Sequence, residues 1–218
     1  MSLARLAGPA QAARRLFPIA LNAALIGAGA GLVIPFMNLY FKTRFHCSSG
    51  QIGLFFSLAQ VFTAIASLLG PAVARRYGKM RTAVVSELLS LPFLVTLGFE
   101  SRLGIAVGAF WLRATLMQAS TPLLQTFIME ALPPGLRARA TSIMNLVWNV
   151  GWAVSATLAG LIIQRFGYAV PFYLTALLYA VAASTFYLAF RRTPELPAEA
   201  RVSEAAKGQR GETPLLTE

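Results

Sequence analysis

Six stretches of the chain are apolar for long enough to form membrane-spanning helices: residues 16–41, 51–74, 83–99, 103–132, 141–163 and 168–190. A helix needs about 20 apolar residues to cross the roughly 30 Å hydrocarbon core of a bilayer. The third stretch is short, and the fourth is long enough to tilt or protrude. None alternates apolar and polar positions as a half-buried strand would, and an open sheet leaves backbone groups unsatisfied in lipid. The pattern predicts an all-α membrane protein with six transmembrane helices.

The basic residues orient these helices. Arg5, Arg14, Arg15, Arg75, Arg76, Lys79, Arg81, Arg137, Arg139, Arg191 and Arg192 fall on one side, against Lys42, Arg44, Arg102 and Arg165 on the other. Positive charge marks the cytoplasmic side, so both termini are expected there. This divides the chain into a cytoplasmic N-terminal segment (1–15), a six-helix bundle (16–190) and a tail (191–218). The tail is rich in Pro, Glu, Ala and Gly, cannot bury a core, and is expected to be a disordered cytoplasmic segment. The first apolar run follows Arg14 and Arg15 but, at about 26 residues, is too long for a cleavable signal core.

Composition narrows the function classes. The 218 residues are 56% apolar and 12% charged, where soluble domains carry about a quarter charged residues. The net charge of +11 would suit nucleic acid, but the basic residues sit in short clusters between apolar runs rather than on one face. Nucleic-acid binding is therefore not expected. A single cysteine, Cys47, rules out an internal disulfide, and His46 beside it is the one histidine. No metal or other cofactor is expected. With no embedded histidine, no Gly-x-Ser-x-Gly turn and no aspartate, an enzyme is not expected either.

Several polar residues lie inside the apolar runs. Arg113 is about ten residues into the fourth span, near mid-bilayer at 1.5 Å per residue. A cation there costs at least a few kcal/mol and needs a polar cavity or a partner. It is either a substrate or coupling residue, or a structural arginine bonded to carbonyls or amides. The amides are Asn22 and Asn38 on the first span, Gln60 on the second, Gln118 and Gln125 on the fourth, and Asn145 and Asn149 on the fifth. Asn145 and Asn149 share a helix face at i,i+4, next to the Trp148–Trp152 pair. The sixth span offers only Ser, Thr and Tyr, as a peripheral helix would. The candidate path residues are thus Arg113, Gln60, Gln118, Asn145, Asn149, Trp148 and Asn22. Gly27, Gly29, Gly31 and Pro35 in the first span, with Pro92 and Pro122 later, permit close packing and bending.

An internal echo joins the ends of spans two and five: Gly70 to Gly78, closing on Arg76-Tyr77-Gly78, resembles Gly160 to Gly167, closing on Arg165-Phe166-Gly167. The two fall on opposite sides of the membrane, as two three-helix units of inverted topology would place them.

The segment Gly70-Pro71-Ala72-Val73-Ala74-Arg75-Arg76-Tyr77-Gly78-Lys79-Met80-Arg81 resembles the loop motif of the major facilitator superfamily. Ser49-Gly50-Gln51-Ile52-Gly53, opening the second span, and Glu130 to Arg139, between the fourth and fifth, are similar to that family too. The resemblance covers about residues 15–190. It implies a cytoplasmic gate built from Gly70, Arg75, Arg76, Gly78, Lys79, Arg81 and Glu130, with Glu87 as a further carboxylate near the cytoplasmic surface. Arg75 stands where the family usually has aspartate, which implies a rewired or weakened latch, as in the second half of such transporters. The resemblance further implies that spans 1, 2, 4 and 5 line a substrate path while 3 and 6 face lipid. The expected function is passive or proton-coupled movement of a small molecule by alternating access across the cell membrane, with efflux favoured because the cavity candidates are apolar, aromatic and nearly free of acid. No acid is expected in the middle of a span, and the antiporter signature of the fifth span is absent. Complete members have two six-helix halves, so the expected partners are a substrate, the bilayer, and a second six-helix half or a homodimer mate. The alternative is a non-transporting subunit or an inactive truncated transporter.

Overall fold

The computed structural model describes residues 9–192, with side chains from residue 16. Most of the expected N-terminal segment and tail lies outside the described residues. Seven α-helices follow one another: α1 (Pro9–Val33), α2 (Met37–Phe45), α3 (Ser49–Tyr77), α4 (Lys79–Phe99), α5 (Leu103–Ala131), α6 (Pro134–Phe166) and α7 (Ala169–Phe190). No strand occurs among the described residues. The expected first span is one apolar path broken by a 3-10 turn at Ile34–Phe36, where Pro35 withholds a backbone donor, so it comprises α1 and α2.

Five helical stretches are long and apolar enough to cross a membrane: Leu16–Phe45, Ser49–Tyr77, Lys79–Phe99, Pro134–Phe166 and Ala169–Phe190. The 29-residue α5 has the length but not the composition, because Arg113, Gln118, Gln125 and Glu130 lie along it. α6, the fifth expected span, starts at Pro134, seven residues before the expected 141. Pro at a first helical position and the following Leu, Arg and Ala all favour helix, although this turn is too polar to register as apolar.

The helix ends are punctuated where the sequence supplies the chemistry. His46 takes the left-handed conformation (φ 54°) that closes α2. Ser48 then caps α3 in a reciprocal box with Gln51. The α3 and α6 helices end alike. Gly78 (φ 89°) and Gly167 (φ 76°) hold backbone angles that a side chain rarely tolerates, and their N–H groups donate to Ala74 and Ile163 at 2.9 Å.

α1 packs on α6 and α7, α5 on α3 and α4, and α4 on α7. The α1 glycines sort themselves between its two neighbours. A Cβ on Gly27 would lie 2.8 Å from Trp148 Cα, and one on Gly31 would lie 2.9 Å from the Trp152 carbonyl carbon, so both face α6. One on Gly29 would lie 2.9 Å from Tyr179 Cδ1 on α7. From α6, Gly151 answers, with Ala24 O at 2.9 Å from its would-be Cβ. These are small-residue contacts that bring helix backbones together. Gly70 is different. Its Cβ would meet Ala119 O and Leu123 Cδ1 at 3.8 Å, an ordinary contact, so the close approach expected there does not require glycine.

Two apolar layers close the bundle. One joins the end of α1 to Leu94, Leu97, Phe110 and Phe172, with Tyr40 donating to Leu97 O at 2.7 Å. The other joins Ile19 to Ala83, Phe127, Phe186 and Phe190. Each layer takes the end of one helix and the start of the next, so successive long helices run in opposite directions.

Candidate functional site

Between the two layers the polar positions converge on a cavity of about 680 Å³. Its wall includes Asn22 and Met37 from the first span, Phe56 and Gln60 from α3, and Glu87 from α4. α5 adds Phe110, Arg113, Gln118 and Gln125, α6 adds Asn145 and Trp148, and α7 adds Tyr179. Six of the seven expected path residues are therefore brought together. The seventh, Asn149, is not in the wall; its amide turns back to donate to the Asn145 carbonyl at 2.6 Å. Asn38 also lies outside it.

Arg113 is 5% exposed, inside a helix, with its guanidinium carbon 5.9 Å from the Tyr179 ring centroid. Its Nη2 donates to the Tyr179 hydroxyl at a long 3.4 Å, and its Nε is buried without a partner. A guanidinium carries five N–H donors, so this one is mostly unspent. Asn22 is a strut as well as a lining residue: its amide donates to Ala182 O on α7 at 3.2 Å. Gln60, Gln118, Gln125 and Asn145 differ from both, being exposed at the mouth of the cavity. Trp148 stacks on Trp152 with centroids 6.4 Å apart.

Glu87 corrects the sequence expectation. It was expected near the cytoplasmic surface as a gate carboxylate, with no acid in the middle of any span. It is 3% exposed, lines the cavity, and accepts from Ser120 Oγ at 3.4 Å. The displacement has a simple cause. α4 begins at Lys79 rather than residue 83, which sets Glu87 a full turn deeper, on the face packed against α5. Glu87 and Arg113 share the cavity without forming an ion pair with each other. Spans three and six keep exposed apolar faces, such as Val85 and Leu89 on α4 and Leu177 and Leu188 on α7, but each also turns one residue into the cavity. Tyr179 is 1% exposed, and both α4 and α7 contribute to the wall.

At the α3–α4 turn, Lys79 Nζ donates to both Glu130 oxygens, the Oε2 contact at 2.6 Å, joining the start of α4 to the end of α5. A lysine therefore engages this carboxylate. Arg75, Arg76 and Arg81 are exposed, with Arg76 5.5 Å from the Tyr77 ring centroid. Arg137 Nε donates to Leu132 O at 3.1 Å, tying down the end of α5.

Residues 19–217 match the sequence profile of the Major Facilitator Superfamily. The chain belongs to the major facilitator superfamily. Among curated proteins it is similar to the cis,cis-muconate transport protein of Acinetobacter baylyi, 28% identical over 152 residues, covering 69% of this chain and 37% of that one. It is also similar to YceJ of Bacillus subtilis, described as an uncharacterized transporter of the same superfamily, 24% identical over 169 residues and covering 76% and 42%. The matches thus span about two fifths of the length of these relatives. The fold resembles that of the POT family transporter PepTSo, with a TM-score of 0.73 at 21% identity over 94% of this chain and 43% of that one. An auto-inhibited POT family peptide transporter matches at 0.69 and 18% identity, covering 84% and 38%. This superfamily member is thus a multi-pass cell-membrane protein of a transporter family and not an enzyme.

Among the lining residues of this superfamily member that were missed from sequence are Glu87, as a cavity acid, and Tyr179. For Tyr179 a signal existed: it lies four residues after Thr175, and both are fully buried against Gly29. A polar pair at i,i+4 facing a glycine marks an inner face.

Proposed function

We propose that this chain is one six-helix half of a small-molecule transporter that works by alternating access, with both ends cytoplasmic. The observation that carries the reading is a cavity at mid-bundle with a buried arginine and a carboxylate in its wall and four amides at its mouth. Amides exposed at that depth are poorly solvated by lipid. They are suited to water, a solute or a second six-helix unit.

Inverted repeats gain support from the packing. Exchange α1 with α5, α3 with α6, and α4 with α7. The pair α1–α6 becomes α5–α3, α1–α7 becomes α5–α4, α3–α4 becomes α6–α7, and α4–α7 maps onto itself. All of these pairs pack. The glycine caps at Gly78 and Gly167 exchange in the same operation. On this reading α5 crosses the membrane as the sixth span, its polar residues facing the path. The Lys79–Glu130 pair, with Gly70, Arg75, Arg76, Gly78 and Arg81 around the same turn, forms the cytoplasmic gate. Glu87 is the cavity group able to take up and release a proton, which favours proton-coupled over passive movement.

The test is flux into and out of liposomes holding the purified chain, alone, as a homodimer, and with a co-expressed second six-helix half. Flux that Arg113→Ala removes supports the proposal. Flux that Glu87→Gln uncouples from an imposed proton gradient supports its coupled form. A well-folded chain giving no flux in any combination would favour a non-transporting subunit or an inactive fragment.

A further inference from the structure

Taking the cavity as the solute path proposed above, we infer that its ligand is a small organic monoanion whose charged head binds Arg113. Among the described residues lining the cavity, Arg113 is the only cation. It is 95% or so buried, its Nε has no partner, and its one polar bond, to the Tyr179 hydroxyl, is long. An unmet charged donor is the costliest group a buried wall can hold, and a carboxylate engages a guanidinium with two parallel hydrogen bonds. A cation would be repelled, and a neutral solute could accept a hydrogen bond from that donor but would bring no charge to offset it.

The rest of the wall limits the anion. A second negative charge would find no further cation and would face Glu87, whose carboxylate already accepts from Ser120. Phe56, Phe110, Met117 and Trp148 offer apolar and aromatic surface for an uncharged body. A volume of about 680 Å³ suits a ligand of small-molecule size. Glu87 sets the polarity of the site: the head points to Arg113, and removing the Glu87 charge strengthens its binding.

The test uses the detergent-purified 218-residue chain and a matched series with one body: 3-phenylpropionate, its methyl ester, and 3-phenylpropylamine. Binding is read by quenching of tryptophan fluorescence, because Trp148 lines the cavity and stacks on Trp152. The anion should bind saturably, with the ester and the amine at least about tenfold weaker. Arg113→Gln should lose at least about tenfold in affinity for the anion, Arg113→Lys less, and Glu87→Gln should bind it more tightly. Equal binding of ester and anion, tighter binding of the amine, or no saturable binding of the anion overturns the inference. The ester comparison on the unaltered chain keeps the test decisive if Arg113→Gln does not fold. The transport reading fails separately: anion binding without flux in any combination refutes transport and keeps this site, whereas flux of neutral or cationic solutes without anion binding does the reverse.

Discussion

Replacing Gly27 with alanine should cost the bundle more than its single methyl group suggests. The added Cβ would sit 2.8 Å from Trp148 Cα and 2.9 Å from its carbonyl carbon, closer than Cβ atoms approach other atoms. The obstacle is backbone rather than the end of a flexible side chain, so no rotamer change relieves it. α1 and α6 must separate by about 1 Å to restore ordinary contact, and that movement also opens the close packing of Gly151 on Ala24 and Ala28. Overpacking of this kind costs about 1–3 kcal/mol. For a domain of this size that corresponds to a fall of roughly 2–12 °C in unfolding midpoint. The control is Gly108 on α5, where an added Cβ meets nothing within 4 Å; Gly108→Ala should stay within about 0.5 kcal/mol of the parent. Both variants can be followed in detergent by helical circular dichroism during thermal unfolding. Because Trp148 is the displaced residue, Gly27→Ala should also change the tryptophan emission of the folded state. If Gly27→Ala and Gly108→Ala unfold alike, the α1–α6 contact is not the backbone-to-backbone seam described here.

Other consequences follow from single features. Gly78→Ala and Gly167→Ala should each destabilise by about 1–3 kcal/mol, since both positions hold φ values that alanine adopts only under strain; Gly53→Ala, which meets open space in α3, is the comparison for the same unfolding assay. Glu130→Gln removes the charge that receives Lys79 and should cost about 1–3 kcal/mol. Its effect should shrink in the Lys79→Met background, and a double-mutant cycle with no coupling would show that the pair holds nothing together.

Much of the fold was legible because membrane spans announce themselves by long apolar runs. Five of the six expected stretches coincide with helices apolar enough to span, and the glycine triplet and Pro35 act where their chemistry placed them. The Gly78 and Gly167 echo was readable from residue type alone, since only glycine serves a positive-φ helix end well. The cavity was partly legible, because amides and an arginine inside apolar runs have few reasons to be there. Glu87 was misplaced because the start of α4 falls in a basic turn where hydropathy gives no boundary. A shift of four residues moved the acid from the rim to the interior. Asn149 failed for a different reason: sharing a face with Asn145 at i,i+4 let it bond locally to that residue's carbonyl instead of reaching the cavity.

The central claim is that the cavity is a water-accessible solute path rather than a packing defect. With Cys47, the sole cysteine, replaced by serine, single cysteines at Gln60, Gln118 and Asn145 can be challenged with a membrane-impermeant thiol reagent from each side of sealed vesicles. Leu68, 80% exposed on α3 but away from the cavity, and Leu146, beside Asn145 on α6, serve as controls. The account predicts that the three cavity positions are labelled, mainly from one side at a time, while Leu68→Cys and Leu146→Cys stay unreactive. Equal protection of cavity and control positions from both sides would contradict it.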